Sequence, residues 1–204
     1  MTQPEIPEIM RRLRTVLAAR SREILPPGPV PAAVLLPLLE QGGDFSVLFT
    51  KRTETLRHHT GEICFPGGAV HPEDDGPLAA ALRETAEEIG VPPEQVEVLG
   101  ALDDTLSVHG YLVTPYVGII RPTSYTVNAA EIERLIVVPL SHLTRPEIFR
   151  SERWVRQGAE VPVYFYTCGA DEVWGLTARV LKQFLDLLAE LRGASREVPA
   201  SSAS

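Results

Sequence analysis

Residues 77–93 read PLAAALRETAEEIGVPP, and both ends of a helix are written into them. Pro77 suits the first helical position, where a backbone N–H would have no partner anyway, and Asp74 or Asp75 stands just ahead as a cap. Gly90 suits the left-handed position that closes a helix, and Pro92-Pro93 forbids continuation. This places a helix at 77–89. A helix turns about 100° per residue, so with Glu84 at zero, Glu87 falls about 60° to one side and Glu88 about 40° to the other. Three carboxylates therefore share one face. Ala79, Leu82, Ala86 and Ile89 form the opposite stripe, which is expected to face the core.

A solvated surface is the ordinary explanation of glutamates on a helix. Three features count against it. Like charges four residues apart destabilise an isolated helix. These acids lie toward the C-terminal half, where the helix dipole disfavours them. No lysine or arginine occurs from 84 to 100 to pair them locally. Carboxylates at this spacing suit hard divalent cations that take oxygen ligands, namely Mg²⁺ or Mn²⁺. Mg²⁺ held by a few carboxylates and by phosphate oxygens is the usual arrangement for phosphate chemistry.

The bulk composition sets the outer limits. A length of 204 residues suits one domain of ordinary to large size. The formal net charge of -8 argues against a protein that neutralises the phosphates of DNA or RNA. It leaves room for a small anionic substrate bridged by metal cations. Cys64 and Cys168 form neither a metal-spaced pair nor a disulfide framework, so free thiols in a reducing compartment are expected. The first twenty residues carry no signal-peptide pattern, and no run reaches the length of a membrane span. The expectation is a cytoplasmic protein with no membrane and no nucleic-acid partner.

Around the acidic helix the chain alternates strands with a few helices. Residues 5–22 read as an amphipathic helix with Ile9, Leu13, Val16 and Leu17 on one stripe, and PPGPVP (26–31) as a stiff spacer. AAVLLPLL (32–39) reads as a buried strand, with Pro37 placing it near an edge or a bulge. QGGD (41–44) is a turn into a second strand, FSVLFTKR (45–52). Further strands are expected at 96–102, 111–120, 133–140 and 161–168, and a strong helix at 177–192. The pattern predicts a mixed α/β or α+β domain over 1–195 with an N-terminal helical extension, and a disordered polar tail at 196–204.

At this point the chain resembles the Nudix hydrolases, whose box is written G-x5-E-x7-R-E-U-x-E-E-x-G-U, with U aliphatic. Here Gly68 opens the box, Asp75 stands at its first acid, and Arg83-Glu84-Thr85-Ala86-Glu87-Glu88-Ile89-Gly90-Val91 completes it. There are departures. Six residues rather than five separate Gly68 from an acid that is aspartate, and Thr85 stands at an aliphatic position. A helix cap is the expected role of Asp75. A second pattern lies upstream. LFTKRTETLRHHTGEICFPGG (48–68) matches L-L-T-x-R-S/T-x3-R-x3-G-x3-F-P-G-G at Leu48, Thr50, Arg52, Thr53, Arg57, Gly61, Phe65, Pro66, Gly67 and Gly68, with Phe49 for the second leucine. It resembles the coenzyme A pyrophosphatase branch, as do 110–118, 128–140 and 173–181, so the likeness spans residues 30–185.

The resemblance implies an α/β (α+β) Nudix fold, a mixed β-sheet sandwiched between helices. It implies metal-dependent hydrolysis of the pyrophosphate of coenzyme A or its derivatives, giving 3′,5′-ADP and 4′-phosphopantetheine or its acyl form. Glu84, Glu87 and Glu88 would hold Mg²⁺ or Mn²⁺, the Gly68 carbonyl would add a ligand, and Arg83 would orient the glutamates. One of the box glutamates or Glu131 would accept the proton of the attacking water; Glu131 reads equally as an ordinary helix-start acid. Arg52 and Arg57, beside His58 and His59, would meet the substrate and its 3′-phosphate, while Arg52 can also be read as a strand end paired with a surface acid. Gly67 and Gly68 would permit close approach to the ligand, and Cys64 reads as a small strand residue. The implied partner is a small-molecule nucleotide of the coenzyme A type, and a homodimer stays open. The rival readings are a Nudix pyrophosphatase acting on ADP-ribose, NADH or a dinucleoside polyphosphate, a non-catalytic nucleotide-binding sensor, and an isomerase on the same fold.

Overall fold

The computed structural model describes residues 6–27, 30–41, 44–53, 61–121, 124–156 and 158–193. The expected tail at 196–204, the arginine at 57, the histidines at 58 and 59, and parts of the 26–31 spacer and the 41–44 turn lie outside them. The apolar run AAVLLPLL belongs to strand β1 (Val30–Gln41), and its composition has a simple cause: both of its faces are covered. Leu36 and Leu38 point into the larger core with residues of helices α1 (Ile6–Ala19) and α4 (Gly175–Gly193). Leu35 and Leu39 meet Ile89 and Val91 on the opposite face, where Ala33 packs on Ala80 and Ala81 of helix α2 (Gly76–Ile89).

β1 runs antiparallel to β2 (Asp44–Arg52) and parallel to β7 (Tyr111–Ile120). The β1–β2 pairing covers only Leu38 to Gln41 on β1, beyond which the two strands diverge. The short strands β3 (Ile63–Cys64) and β4 (Gly67–Ala69) fill this fork: β3 pairs with β2 at Thr50 and Lys51, and β4 with β1 at Ala32 to Val34. The fork corrects the reading of Pro37, which lies in a central strand rather than at an edge. The Leu35 N–H donates to the Pro66 carbonyl at 2.9 Å, on the fork side. Two residues on, the missing N–H of Pro37 falls on the same side, in the gap between that bond and the first β2 pair, so no ladder bond is lost. On the outer flanks β5 (Val96–Ala101) and β6 (Thr105–Leu106) pair with β7, and β8 (Ile132–Pro139) follows β2 along its length. The result is an eight-stranded mixed sheet with α2 on one face and α1 and α4 on the other, the α+β architecture expected.

A second sheet was not foreseen. β9 (Phe149–Arg156), β10 (Ala159–Cys168) and β11 (Asp171–Trp174) form an antiparallel three-stranded unit, joined to β8 through the short helix α3 (Leu140–Leu143). Only β10 carries a strong strand signal. The polar β9 is held by its full pairing with β10 and by aromatic contacts, with Trp154 6.2 Å from both Phe165 and Trp174 between ring centroids. Among the described residues no helix is long and apolar enough to cross a membrane.

α2 ends as its sequence predicts. Gly90 adopts φ 71°, and its N–H donates to the Ala86 carbonyl at 3.0 Å. Its core face, however, is rotated from the expected stripe. The buried residues are Ala80, Ala81, Thr85, Glu88 and Ile89, while Ala79, Leu82 and Ala86 are half-buried. Small side chains at 80 and 81 let the helix lie close on β1 and β4. Thr85 tolerates full burial because its hydroxyl donates to the Ala81 carbonyl at 2.6 Å. Asp75 occupies the cap position without making a side-chain capping bond, so the role expected of it is not filled.

The segment after α1 is fastened by two adjacent acids. Asp103 accepts from Arg20 and from the Glu23 N–H. Asp104 accepts from Arg22, from the Leu25 N–H at 3.2 Å and from the Thr114 hydroxyl at 2.8 Å. Asp104 is buried, so removing its carboxylate strands three donors at once. Asp104→Ala is expected to cost about 3 kcal/mol in urea unfolding, with an unchanged slope. Asp186→Ala, which breaks only the exposed Lys182 pair, is expected to cost less than about 0.5 kcal/mol.

Candidate active site

The three glutamates of α2 sit at graded depth. The Glu87 side chain is 56% exposed, Glu84 15% and Glu88 3%, so one face of the helix runs from solvent into the protein. Arg83 binds the outer two: its Nη1 lies 2.8 Å from Glu84 Oε1 and 3.4 Å from Glu87 Oε2. The guanidinium is itself fixed from behind. Nε and Nη2 donate to the two oxygens of Asp74 at 2.9 and 3.1 Å, and Nη2 also reaches the Ala69 carbonyl at 3.2 Å. Asp74 accepts the His71 N–H as well, and the Arg83 and His71 bonds together hold its carboxyl down at about 2.

The sequence reading offered Asp74 only as a helix cap. The box pattern pointed to Asp75, yet it is Asp74 that meets Arg83. Gly68-x5-Asp74 keeps the five-residue spacing of the box, with the extra residue falling between Asp74 and Arg83. That spacing was the available signal.

Glu88 is handled by a different partner, 36 residues away. Arg52, at the end of β2, places Nη1 3.4 Å from Glu88 Oε1 and Nη2 3.8 Å from Glu131 Oε2. Glu131 reaches this point because its loop docks on the end of α2. The Thr126 and Asn128 N–H groups donate to the carbonyls of Ile89 and Glu88, at 3.1 and 3.0 Å, and Asn128 Nδ2 then donates to Glu131 Oε1 at 3.3 Å. The loop thus satisfies the terminal helix carbonyls and delivers a fourth carboxylate.

The fork segment crosses directly over these groups. A Cβ on Gly68 would stand 2.5 Å from Glu84 Oε1, and one on Gly67 would stand 2.3 Å from the Ala33 carbonyl oxygen. A side chain at 67 would meet fixed backbone, and one at 68 would push the Glu84 carboxylate out of place. Gly67, Gly68 and Arg52 also form part of the wall of a cavity of about 460 Å³, which extends between loop 106–109 and the second sheet. Cys64 lines it too, in β3, but burial pushes its thiol up to about 12, which removes any nucleophilic role.

The fit to a divalent cation rests on one orphaned atom. Glu88 Oε2 is buried without a hydrogen-bond partner, next to Glu84 and the glycine backbone. An oxygen in that position suits a hard cation. Among the described residues no three His, Cys, Asp or Glu side chains close around one point. A cation here would therefore take one or two carboxylates at a time, with substrate oxygens and water making up the rest, as Mg²⁺ commonly does.

Burial, reinforced by the Glu84 and Glu131 charges, pushes the Glu88 carboxyl up to about 8, against the pull of Arg52 and of the Gly67 N–H. The sign for stability follows. Between about 4.5 and about 8 the folded protein keeps a proton that the unfolded chain has released, so stability falls as pH rises through that window. In protein stripped of metal, the slope is expected to approach about 1.4 kcal/mol per pH unit and to vanish in Glu88→Gln, as measured by chemical unfolding from pH 5 to 8.

Comparison with known proteins places the chain in a family. The NUDIX domain family matches residues 28–159. An uncharacterized Nudix hydrolase of Photorhabdus laumondii, NudL, is 41% identical over 74% of this chain and 81% of its own length. Its Enterobacter counterpart is 37% identical over 86% of this chain and 91% of its own. A MutT/Nudix family protein from Enterococcus faecalis has the same fold, with TM-score 0.55 and 16% identity over 91% of this chain and 70% of that one. A domain match over more than half the chain, with relatives this similar over most of their length, settles the assignment: the chain belongs to the Nudix hydrolase family.

Proposed function

We propose that this protein hydrolyses the pyrophosphate linkage of coenzyme A or its derivatives, releasing 3′,5′-ADP and 4′-phosphopantetheine or its acyl form, with Mg²⁺ or Mn²⁺. The observation that carries the hydrolytic reading is the contact between cavity wall and acidic helix. Gly68 lies against Glu84, Gly67 and Arg52 lie against Glu88, and one Glu88 oxygen has no partner. A phosphate chain entering the cavity meets glycine backbone and an arginine first, with carboxylates immediately behind. The choice of coenzyme A rests on the 48–68 pattern that ends in these same glycines.

In this reading Glu84, Glu87 and Glu88 would share the cations, one or two carboxylates to each, with the Gly68 carbonyl as a further ligand. When bound, the cation would offset pyrophosphate charge and acidify a water. Arg83, locked by Asp74, keeps Glu84 and Glu87 from swinging apart between turnovers. Arg52 spans Glu88 and Glu131 and faces the cavity, where its fork can also meet a phosphate oxygen. Water attacks phosphorus in line and a carboxylate takes its proton; the half-exposed Glu131 is placed to do so, as are the box glutamates. Arg57 is assigned to the substrate on the sequence pattern alone.

Three measurements test this. Glu87→Gln and Glu88→Gln should stay folded and lose about 10²–10³ in kcat with Mg²⁺. Near-normal turnover in either would remove the cation-site assignment. If Glu131 is the base, Glu131→Gln lowers kcat by about 10²–10⁴ with little change in KM. The substrate is tested by ranking kcat/KM for coenzyme A, acetyl-coenzyme A, ADP-ribose and NADH. A preference for either of the last two would refute the coenzyme A reading while leaving the hydrolase standing.

A further inference from the structure

The far wall of the cavity has a charge pattern that the pyrophosphate reading does not use. The chain is acidic overall, at -8, yet the described residues lining the cavity include Arg52, Arg156 and Arg179 against a single carboxylate, Glu62. Arg52 is committed to Glu88 and Glu131. Among the described residues, no acid pairs with Arg156 or Arg179. That is unusual in this protein, where Arg20, Arg22, Arg83, Arg134, Arg150 and Arg153 each sit against a carboxylate. Arg156, at the end of β9, rests its guanidinium 5.5 Å from the Trp154 ring centroid. That contact orients a cation without neutralising it. Arg179 is half-buried one turn into α4, and the first residues of that helix, Gly175 to Thr177, also line the cavity. The start of α4 carries no acid in its first turn. Two guanidinium groups without counter-ions, set beside a helix start in one cavity, favour an anion of the phosphate type.

The same cavity is lined by apolar groups, including Leu106, Val108 and Trp174, whose exposed surfaces are large. A ligand with its pyrophosphate over Gly67 and Gly68 would lay a base, ribose or aliphatic arm along them. On the pyrophosphatase reading above, we infer that Arg156 and Arg179 form a second anion subsite, which selects substrates bearing a phosphomonoester separate from the bond that is cut. Guanidinium is the residue type for the task, because it pairs with a phosphate dianion through two parallel N–H donors and stays charged at any working pH.

The test compares two probes that differ by the one group, coenzyme A and 3′-dephospho-coenzyme A, in wild type, Arg156→Gln, Arg179→Gln and the double variant. Wild type is expected to favour coenzyme A by about tenfold or more in kcat/KM, mainly through KM, since a charge-assisted bond is lost with the phosphate. Each single variant should narrow that ratio and the double variant should bring it close to one. An undiminished ratio in a folded double variant overturns the proposal, as does a wild-type ratio of one. A second arm keeps it separate from the parent reading. Calorimetric titration with 3′,5′-ADP and with 5′-AMP needs no turnover. Tighter binding of 3′,5′-ADP by wild type, equalised in the double variant, supports the subsite even if neither coenzyme A probe is cleaved. Equal binding of both nucleotides by wild type refutes it even if both are cleaved.

Discussion

A side chain on Gly68 would displace the Glu84 carboxylate, because an added Cβ would stand 2.5 Å from one of its oxygens. This close approach of backbone to an acidic helix is the constraint on which the site depends. It requires the fork between β1 and β2, since only a segment threaded there can lie under α2 while pairing with β1. It requires Ala80 and Ala81 where the helix lies on the sheet, since larger side chains would lift it away. The continuous apolar run of β1 follows as well: the same strand must meet α2 on one face and the larger core on the other.

The electrostatic cost of that approach is spread over two arginines from different parts of the chain. Arg83, anchored by Asp74, holds the outer glutamates from within the helix. Arg52 reaches the inner one from the end of β2. The Arg52 pairing is incomplete at the deepest point, where Glu88 Oε2 and Arg52 Nε are buried without partners. Buried polar atoms are nearly always satisfied, and leaving one unpaired costs about 1–3 kcal/mol. A protein that keeps such atoms at the junction of a glycine segment and an acidic helix has a geometry that a cation or a ligand completes.

What was legible in the sequence was local chemistry. Pro77 and Gly90 delimit α2, and β7 occupies the stretch 111–120 read as a strand, so these elements fall where they were expected. Whatever depended on distant partners was not legible. The polar FRSERWVR carries no strand period and becomes β9 only through β10 and its aromatic neighbours. The choice between Asp74 and Asp75 is one residue wide and is decided by reach to Arg83 rather than by capping. The core face of α2 turned toward Thr85 and Glu88 because burial of the glutamate is supported by Arg52, 36 residues earlier, which no helical wheel contains. Asn128 belongs to the same class: its N–H meets the Glu88 carbonyl, and only then does Glu131 stand near Arg52.

The second sheet gains its significance from this division. The acidic helix, the fork glycines and Arg52 are built from the mixed sheet and its helix, the part of the fold that brings these charges together. Loop 106–109, β9 to β11 and the start of α4 line the same cavity with apolar groups and arginines. Binding contacts remote from a reacting bond raise kcat/KM for one substrate over another without changing the chemistry itself. On the proposed reading, substitutions on that wall would alter which molecule is cut while leaving the cutting groups in place. The physical reason is that no hydrogen bond found here runs from the second sheet to Glu84, Glu87 or Glu88, among the described residues.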